Sequence, residues 1–221
     1  MKIKAVIFDM DGVVVNTEPV GYRADNDLFT ALNIQVPDDV YATFVGTSPI
    51  NNMQRLKELY NLPLSFEELL AKRQKYYFDV FDAAQDIHLM PGVLDLIKNL
   101  RQNGMMVILA SSAVKIKINK ILDRFDLHPY FDKVISGEDF EFSKPNPAIF
   151  IEAVAQSGFS KNECIIIEDS ANGIQAANAA GVYCIAYVSN HGLAQDTTGA
   201  DKIITDFSAL DYLKISNLNI K

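Results

Sequence analysis

Two aspartates one residue apart, Asp9 and Asp11, close an apolar run near the start of the sequence, with Gly12 directly behind them. Ser111 follows a second apolar run, Lys144 lies in the loop SKPNP (143–147), and Glu168 and Asp169 end a third run. Carboxylates converging on one crevice repel each other unless a positive charge sits among them, and oxygen donors of this kind suit a hard cation such as Mg2+. A magnesium ion with a lysine and a serine hydroxyl makes a site for a phosphoryl group. The cations neutralise its oxygens, and hydroxyl and backbone N–H groups hydrogen-bond them. Asp9 is then the expected nucleophile, attacking phosphorus in line to give an aspartyl-phosphate and dividing the reaction into two easier displacements. Asp11 is the expected acid/base. It protonates the departing alcohol and then, as a carboxylate, takes a proton from the water that hydrolyses the intermediate. A regular strand would aim both carboxylates to one face; Gly12 permits a turn that aims them differently.

Such side chains need a fold that brings strand ends together. Apolar, β-branched runs recur at 4–9, 105–110, 133–136, 164–169, 182–187 and 202–205. Continuous apolar character, rather than alternation, predicts strands covered on both faces, as in a parallel sheet. Helical spacing is read at 92–103, 113–125, 147–157 and 171–180. Strand alternating with helix gives an α/β, doubly wound, Rossmann-like parallel sheet, whose ligands bind at the carboxyl ends of the strands. From about Glu18 to Phe81 the pattern is helical throughout, with turn signals at Asn33, Pro37, Gly46 to Pro49 and Asn61 to Pro63. The expected division is therefore a discontinuous core, 1–15 and 84–221, with an inserted α-helical cap domain at 16–83.

With 221 residues, 49% of them hydrophobic and 22% charged, the chain has the composition of a soluble globular protein. Its net charge of −8 argues against a general affinity for nucleic acid or an anionic membrane, which needs a clustered basic surface. A small phosphorylated metabolite is the expected partner, with the chain a monomer or weak dimer. Cys164 and Cys184 each sit inside an apolar run, as packed thiols rather than a disulfide, which suits a reducing cytoplasm. No signal-peptide core or membrane span is read in the sequence, so a cytoplasmic location is expected.

The motifs FDMDG (8–12), the serine after VILA at 111, SKPNPAIF (143–150) and IEDSANGIQAANAAG (167–181) together resemble the haloacid dehalogenase-like phosphohydrolases. Within them, the chain is similar to the phosphatases and β-phosphoglucomutase-like phosphomutases that carry a helical cap after the first strand. A lone D-x-D is a weak signal; four motifs in order at the right strand ends are a strong one, and the resemblance spans nearly the whole chain. It implies Asp9 as nucleophile and Mg2+ ligand, and Asp11 as acid/base with its backbone carbonyl on the metal. Ser111 and Lys144 would hold the phosphoryl group, and Asp169 would be the other protein ligand to the metal. Glu168 would reach the metal through water or stand behind the ligands, and Thr17 would lie at the hinge into the cap.

Family members that isomerise hexose phosphates carry a histidine early in the first cap helix and an arginine after G-x-S in the cap, where this chain has Gly21 and Pro49. Losing that arginine removes a bidentate grip on a second phosphate, roughly 2 to 5 kcal/mol. The resemblance therefore implies a phosphatase, with a hexose-phosphate mutase as the alternative. Arg23, Asn51, Asn52 and Lys75 are candidate polar contacts of the cap. A phospho-acceptor switch is disfavoured by the inserted cap and the D-x-D on the first strand, and an inactive binding module by the full set of catalytic residues. Ser170 is read equally well as a helix N-cap, and Gly173 as a close-packing residue. His88, His128 and His191 are read as solvated or locally bonded, and Tyr76, Tyr77, Phe78 and Phe81 as the cap's own core.

Overall fold

The apolar run at the start of the chain forms β1 (Ala5–Phe8), with all four residues buried. The structure, a computed structural model, describes residues 2–44, 49–189 and 195–218. After β1 come β2 (Val15–Asn16), α1 (Glu18–Ala31), α2 (Asp38–Ala42), α3 (Pro49–Tyr60), α4 (Phe66–Ala83) and β3 (His88–Leu89). The alternation then begins: α5 (Val93–Gln102), β4 (Met106–Ser111), α6 (Lys115–Arg124), β5 (Lys133–Ser136), α7 (Ala148–Ser157), β6 (Cys164–Glu168), α8 (Ala171–Ala180), β7 (Tyr183–Tyr187), β8 (Lys202–Ile204) and α9 (Tyr212–Ser216). Of the turn signal at 46–49, residues 46–48 lie outside the described residues, as does His191.

Six strands form one sheet in the order β5-β4-β1-β6-β7-β8, every neighbouring pair parallel. From β1 the chain winds outward through β4 and β5, then crosses back to build β6, β7 and β8 on the other side. β1 thus sits where the winding direction reverses, the place at which open parallel sheets bind ligands. The expected doubly wound sheet is the architecture observed. Its register aligns Phe8 with Leu109 of β4 and with Ile167 of β6. The segments that begin at Asp9, Ala110 and Glu168 therefore leave the sheet side by side.

Both faces of the central strands are dry. Ala5, Ile7, Ile108, Ala110 and Ile166 pack into one cluster with Phe150 and Ala153 of α7 and Ile174 and Ala177 of α8. The alternate residues Val6, Phe8, Val107, Leu109, Ile165 and Ile167 are equally buried. Two-sided burial is why these strands read as continuous apolar runs. A fully buried side chain of this size stabilises the fold by roughly 1.5–3 kcal/mol.

The chain divides into two compact units, Met1–Asn16 with Leu89–Lys221, and Thr17–His88. The second boundary falls beyond the end of α4, whereas the sequence places it at 83/84. After α4, Ala84 and Ile87 are still buried. The Thr17–His88 unit holds α1 to α4 around its own core of Leu28, Phe29, Phe44, Met53, Leu56, Leu62 and Leu69. Ser65 and Glu68 form a reciprocal capping box that starts α4. The nearly buried Asp25 accepts from Arg73 Nε (3.0 Å) and from the Tyr41 hydroxyl (3.3 Å), so its charge is paired inside the unit.

Candidate active site

Asp9 still belongs to the sheet, since its N–H donates to Ile167 O at 3.0 Å. The chain then turns sharply: Gly12 has φ of +80°, its N–H bonds Val15 O (2.9 Å), and Val14 and Val15 both donate to Met10 O. Gly12 is required twice over. A left-handed φ strains any residue with a Cβ, and a Cβ here would lie 2.0 Å from Asp169 Oδ2.

Lys144 reaches into the strand ends from the loop before α7, with its side chain 5% exposed. Its Nζ lies 2.5 Å from Asp9 Oδ1, 2.8 Å from Glu168 Oε1 and 3.4 Å from Ala110 O, and 4.7 Å from the centre of the Phe150 ring. The other oxygen of Glu168 accepts from Asp169 N (2.7 Å), Ser170 N (2.8 Å) and Ser170 Oγ (3.0 Å). Glu168 thus ties the lysine to the start of α8. Ser170 caps that helix by accepting from Gly173 N at 3.1 Å. Gly173 is the space into which Glu168 fits, because a Cβ there would stand 1.7 Å from Oε1.

Ser111 ends β4 almost fully buried, its Oγ accepting from Ala113 N at 3.1 Å. Asp11, partly exposed, pairs through Oδ1 with Lys117 Nζ of α6 at 2.8 Å. Lys117 is a charged residue of this site that sequence reasoning missed. It carries no motif, and only the first-turn position in the helix after Ser111 hints at it.

The site holds more negative charge than Lys144 neutralises. Burial raises the Asp9 pKa to about 7 despite that lysine, and the Glu168 and Asp11 charges add to the rise. Burial, then the charges of Glu168, Asp9 and Asp11, hold Asp169 well above the usual carboxylate range. Burial alone would lower the Lys144 pKa, but the Asp9 and Glu168 charges override it and keep it an ammonium. A cluster of buried hard oxygen donors with unbalanced negative charge fits a divalent cation. Among the described residues no three His, Cys, Asp or Glu side chains form a ready-made metal cluster. The implied ligand set needs only two side chains, Asp9 and Asp169, with the Asp11 carbonyl.

The remaining candidates lie in the Thr17–His88 unit. Thr17 is buried at the N-cap position of α1, its carbonyl accepting from Val20 and Gly21 N–H groups. Arg23 makes two bonds to Asp86 (2.7 and 2.8 Å), Asn52 donates to Phe44 O (2.9 Å), and Lys75 pairs with Asp79 one turn on (2.6 Å). Arg23 and Asp86 also line a cavity of about 400 Å3 with Val80, Ala83, Ala84 and Gln85. Of the histidines, His88 lies 3.0 Å from Asp86 O and His128 2.7 Å from Asp123. Tyr77 and Phe81 are buried and stacked.

Residues 6–187 match the profile of the haloacid dehalogenase-like hydrolase family. Protein SUPPRESSOR OF QUENCHING 1, chloroplastic, of Arabidopsis thaliana is 36% identical over 191 residues, 84% of this chain and 18% of that protein. The chain therefore spans under a fifth of that relative's length. Hexitol phosphatase B of Escherichia coli (strain K12) is 29% identical over 185 residues, 81% of each chain. The crystal structure of CbbY from Rhodobacter sphaeroides in complex with phosphate shares the fold, with a TM-score of 0.84 at 24% identity over 98% of this chain and 100% of the other. The matched region takes in both aspartates of the D-x-D pair, Ser111, Lys144 and the Glu168–Asp169 pair, and the chain belongs to the haloacid dehalogenase-like hydrolases.

Proposed function

We propose that the chain is a Mg2+-dependent phosphatase that hydrolyses a small phosphorylated sugar or polyol through an aspartyl-phosphate on Asp9. The observation that carries this reading is the buried Asp9–Lys144–Glu168 array at the switch point of the sheet. A carboxylate in contact with a fixed ammonium is aimed, and the lysine stands ready to take up the charge of an arriving phosphoryl oxygen. The relative named hexitol phosphatase supports the substrate class.

In this reading Asp9 attacks phosphorus and Lys144 balances the phosphoryl oxygens beside Ser111. Asp11 gives its proton to the departing alcohol oxygen and takes one from the water that attacks the aspartyl-phosphate. The metal would be held by the Asp9 and Asp169 carboxylates and the Asp11 carbonyl. Glu168 has both oxygens engaged by Lys144 and the loop donors, which favours an outer place reached through water. When bound there, Mg2+ supplies further neutralisation of the phosphoryl charge. The Thr17–His88 unit would act as the cap, hinged near Thr17, and the protein would work in the cytoplasm.

The test is inorganic phosphate release from a panel of sugar, polyol and nucleotide monophosphates, with and without Mg2+. Metal-dependent release from one or a few sugar or polyol phosphates is expected. The panel includes β-glucose 1-phosphate with a bisphosphate primer. Glucose 6-phosphate formed without phosphate release would establish the mutase alternative, although by the family resemblance Pro49 stands where the mutases carry the arginine that grips the second phosphate.

A further inference from the structure

The two aspartates of the D-x-D pair each have a lysine from a different element. Asp9 has Lys144 at 2.5 Å, and Asp11 has Lys117 at 2.8 Å. The second pair is built on firm ground at both ends. The 10–15 loop is closed on itself by Gly12 N to Val15 O and by Val14 and Val15 N to Met10 O, at 2.9 to 3.0 Å. The start of α6 is pinned by Glu138, whose Oε2 accepts from Lys115 N at 2.8 Å, and by the turn in which Ala113 N bonds Ser111 Oγ.

The pair is also partly withdrawn from water. Lys117 and Asp11 side chains are 19% and 34% exposed, against 72% and 56% for the surface pair Lys75–Asp79. Exposed pairs hold geometry weakly, and a partly desolvated pair between two fixed backbones holds it better. The direction of this carboxylate matters because Asp11 stands within electrostatic reach of both Asp9 and Asp169. A carboxylate left to its own rotamers would spread over several directions, solvent among them, and lose a fixed aim.

We propose that Lys117 is the positioning residue for Asp11: its ammonium sets the direction of the carboxylate that handles the leaving-group proton, as Lys144 sets that of Asp9. The catalytic part of this inference rests on the phosphatase reading; the geometric part does not. Neutralising Lys117 in Lys117→Met is expected to lower kcat on a sugar or polyol phosphate by roughly 10- to 100-fold, with KM changed less than about threefold. On p-nitrophenyl phosphate the leaving group departs without a proton, so the burst of p-nitrophenol should slow by less than about threefold. Lys117→Arg should restore most of the rate, and Asp11→Asn/Lys117→Met should be no slower than Asp11→Asn alone.

Independent, additive losses in the double variant would overturn the inference. So would a rise in KM with kcat unchanged, which would make Lys117 a substrate contact. Circular-dichroism melting checks the fold, and Lys117→Gln replaces the methionine variant should that one fail to fold. A crystal structure of the folded variant is the readout independent of turnover. An Asp11 carboxylate unmoved from its wild-type direction refutes the positioning role whatever the activity. A displaced Asp11 in a protein whose wild type hydrolyses none of the panel upholds it and removes the phosphatase reading instead.

Discussion

At 7% exposure Asp9 has lost its water, and a lysine shared with Glu168 returns only part of that solvation. Such a carboxylate is poised between carrying a charge and shedding it, which suits a group that must attack a phosphoryl centre and then leave it. Asp9→Asn keeps the shape and removes the proposed nucleophile. Its kcat should fall by at least about 10^3-fold while its melting profile stays cooperative, and an active Asp9→Asn protein would sink the covalent route. Asp169 does different work, lying against Gly12 within reach of the Glu168, Asp9 and Asp11 charges. Asp169→Asn should raise the Mg2+ concentration for half-maximal rate by roughly tenfold or more, measured by metal titration of phosphate release. These residues are legible in the sequence because each stands next to a strand end whose apolar run announces it. The partner of Asp11 is not. Lys117 is one of several lysines in KIKINK, and only the docking of α6 beside β1's loop selects it.

The elements were legible to different degrees for physical reasons. The central strands β1, β4, β6 and β7 are buried on both faces and so appear as unbroken apolar runs, while the edge strands β5 and β8, which expose Val134 and Ile203, are shorter runs; each run is matched by an observed strand. β2 and β3, two residues each, are too short to carry a period, and the three-residue 3-10 turns likewise leave no mark. In α1, α3 and α4 a polar side chain such as Arg23, Asn52 or Lys75 looks the same in sequence whether it faces a ligand or a neighbouring carboxylate or carbonyl. The structure gives each a local partner. Glycines, too, differ by element. Gly21 of α1 has no heavy atom within 4 Å of where a Cβ would stand, whereas at Gly173 of α8 that Cβ would fall on Glu168. Gly21→Ala should therefore stabilise the protein by about 0.5–1 kcal/mol through helix propensity. Gly173→Ala should destabilise it by about 1–3 kcal/mol and push Glu168 off Lys144. Urea denaturation of the two variants settles the contrast; equal effects would mean that the loop before α8 yields freely.

Across the whole molecule, stability and the site draw on the same charges. Each unit carries its own apolar core, so the fold can tolerate a cluster of poorly solvated carboxylates at the edge of one of them. Burial moves the Asp9 pKa from an ordinary 3.8 up to about 7. A folded-state pKa raised above the unfolded one means that the folded protein holds the proton more tightly. The stability tied to this group is fully present below about pH 3.8 and is lost as pH rises through about 7. Asp169, raised in the same direction, adds to the trend. The metal-free protein should accordingly lose stability from this site between those pH values. Asp9→Asn, which cannot ionise, should escape its share, so the melting midpoint of the variant should gain on the wild type at pH 8 relative to pH 5. Mg2+ on the proposed ligand set would act in the opposite sense, because it would bind the ionised carboxylates of the folded chain, and should raise the wild-type midpoint more at pH 8 than at pH 5. Thermal melts at the two pH values, with chelator and with Mg2+, test both halves. A gap between variant and wild type that does not change with pH would show that Lys144 already balances Asp9. A metal response equal at both pH values would place the cation on groups other than these carboxylates.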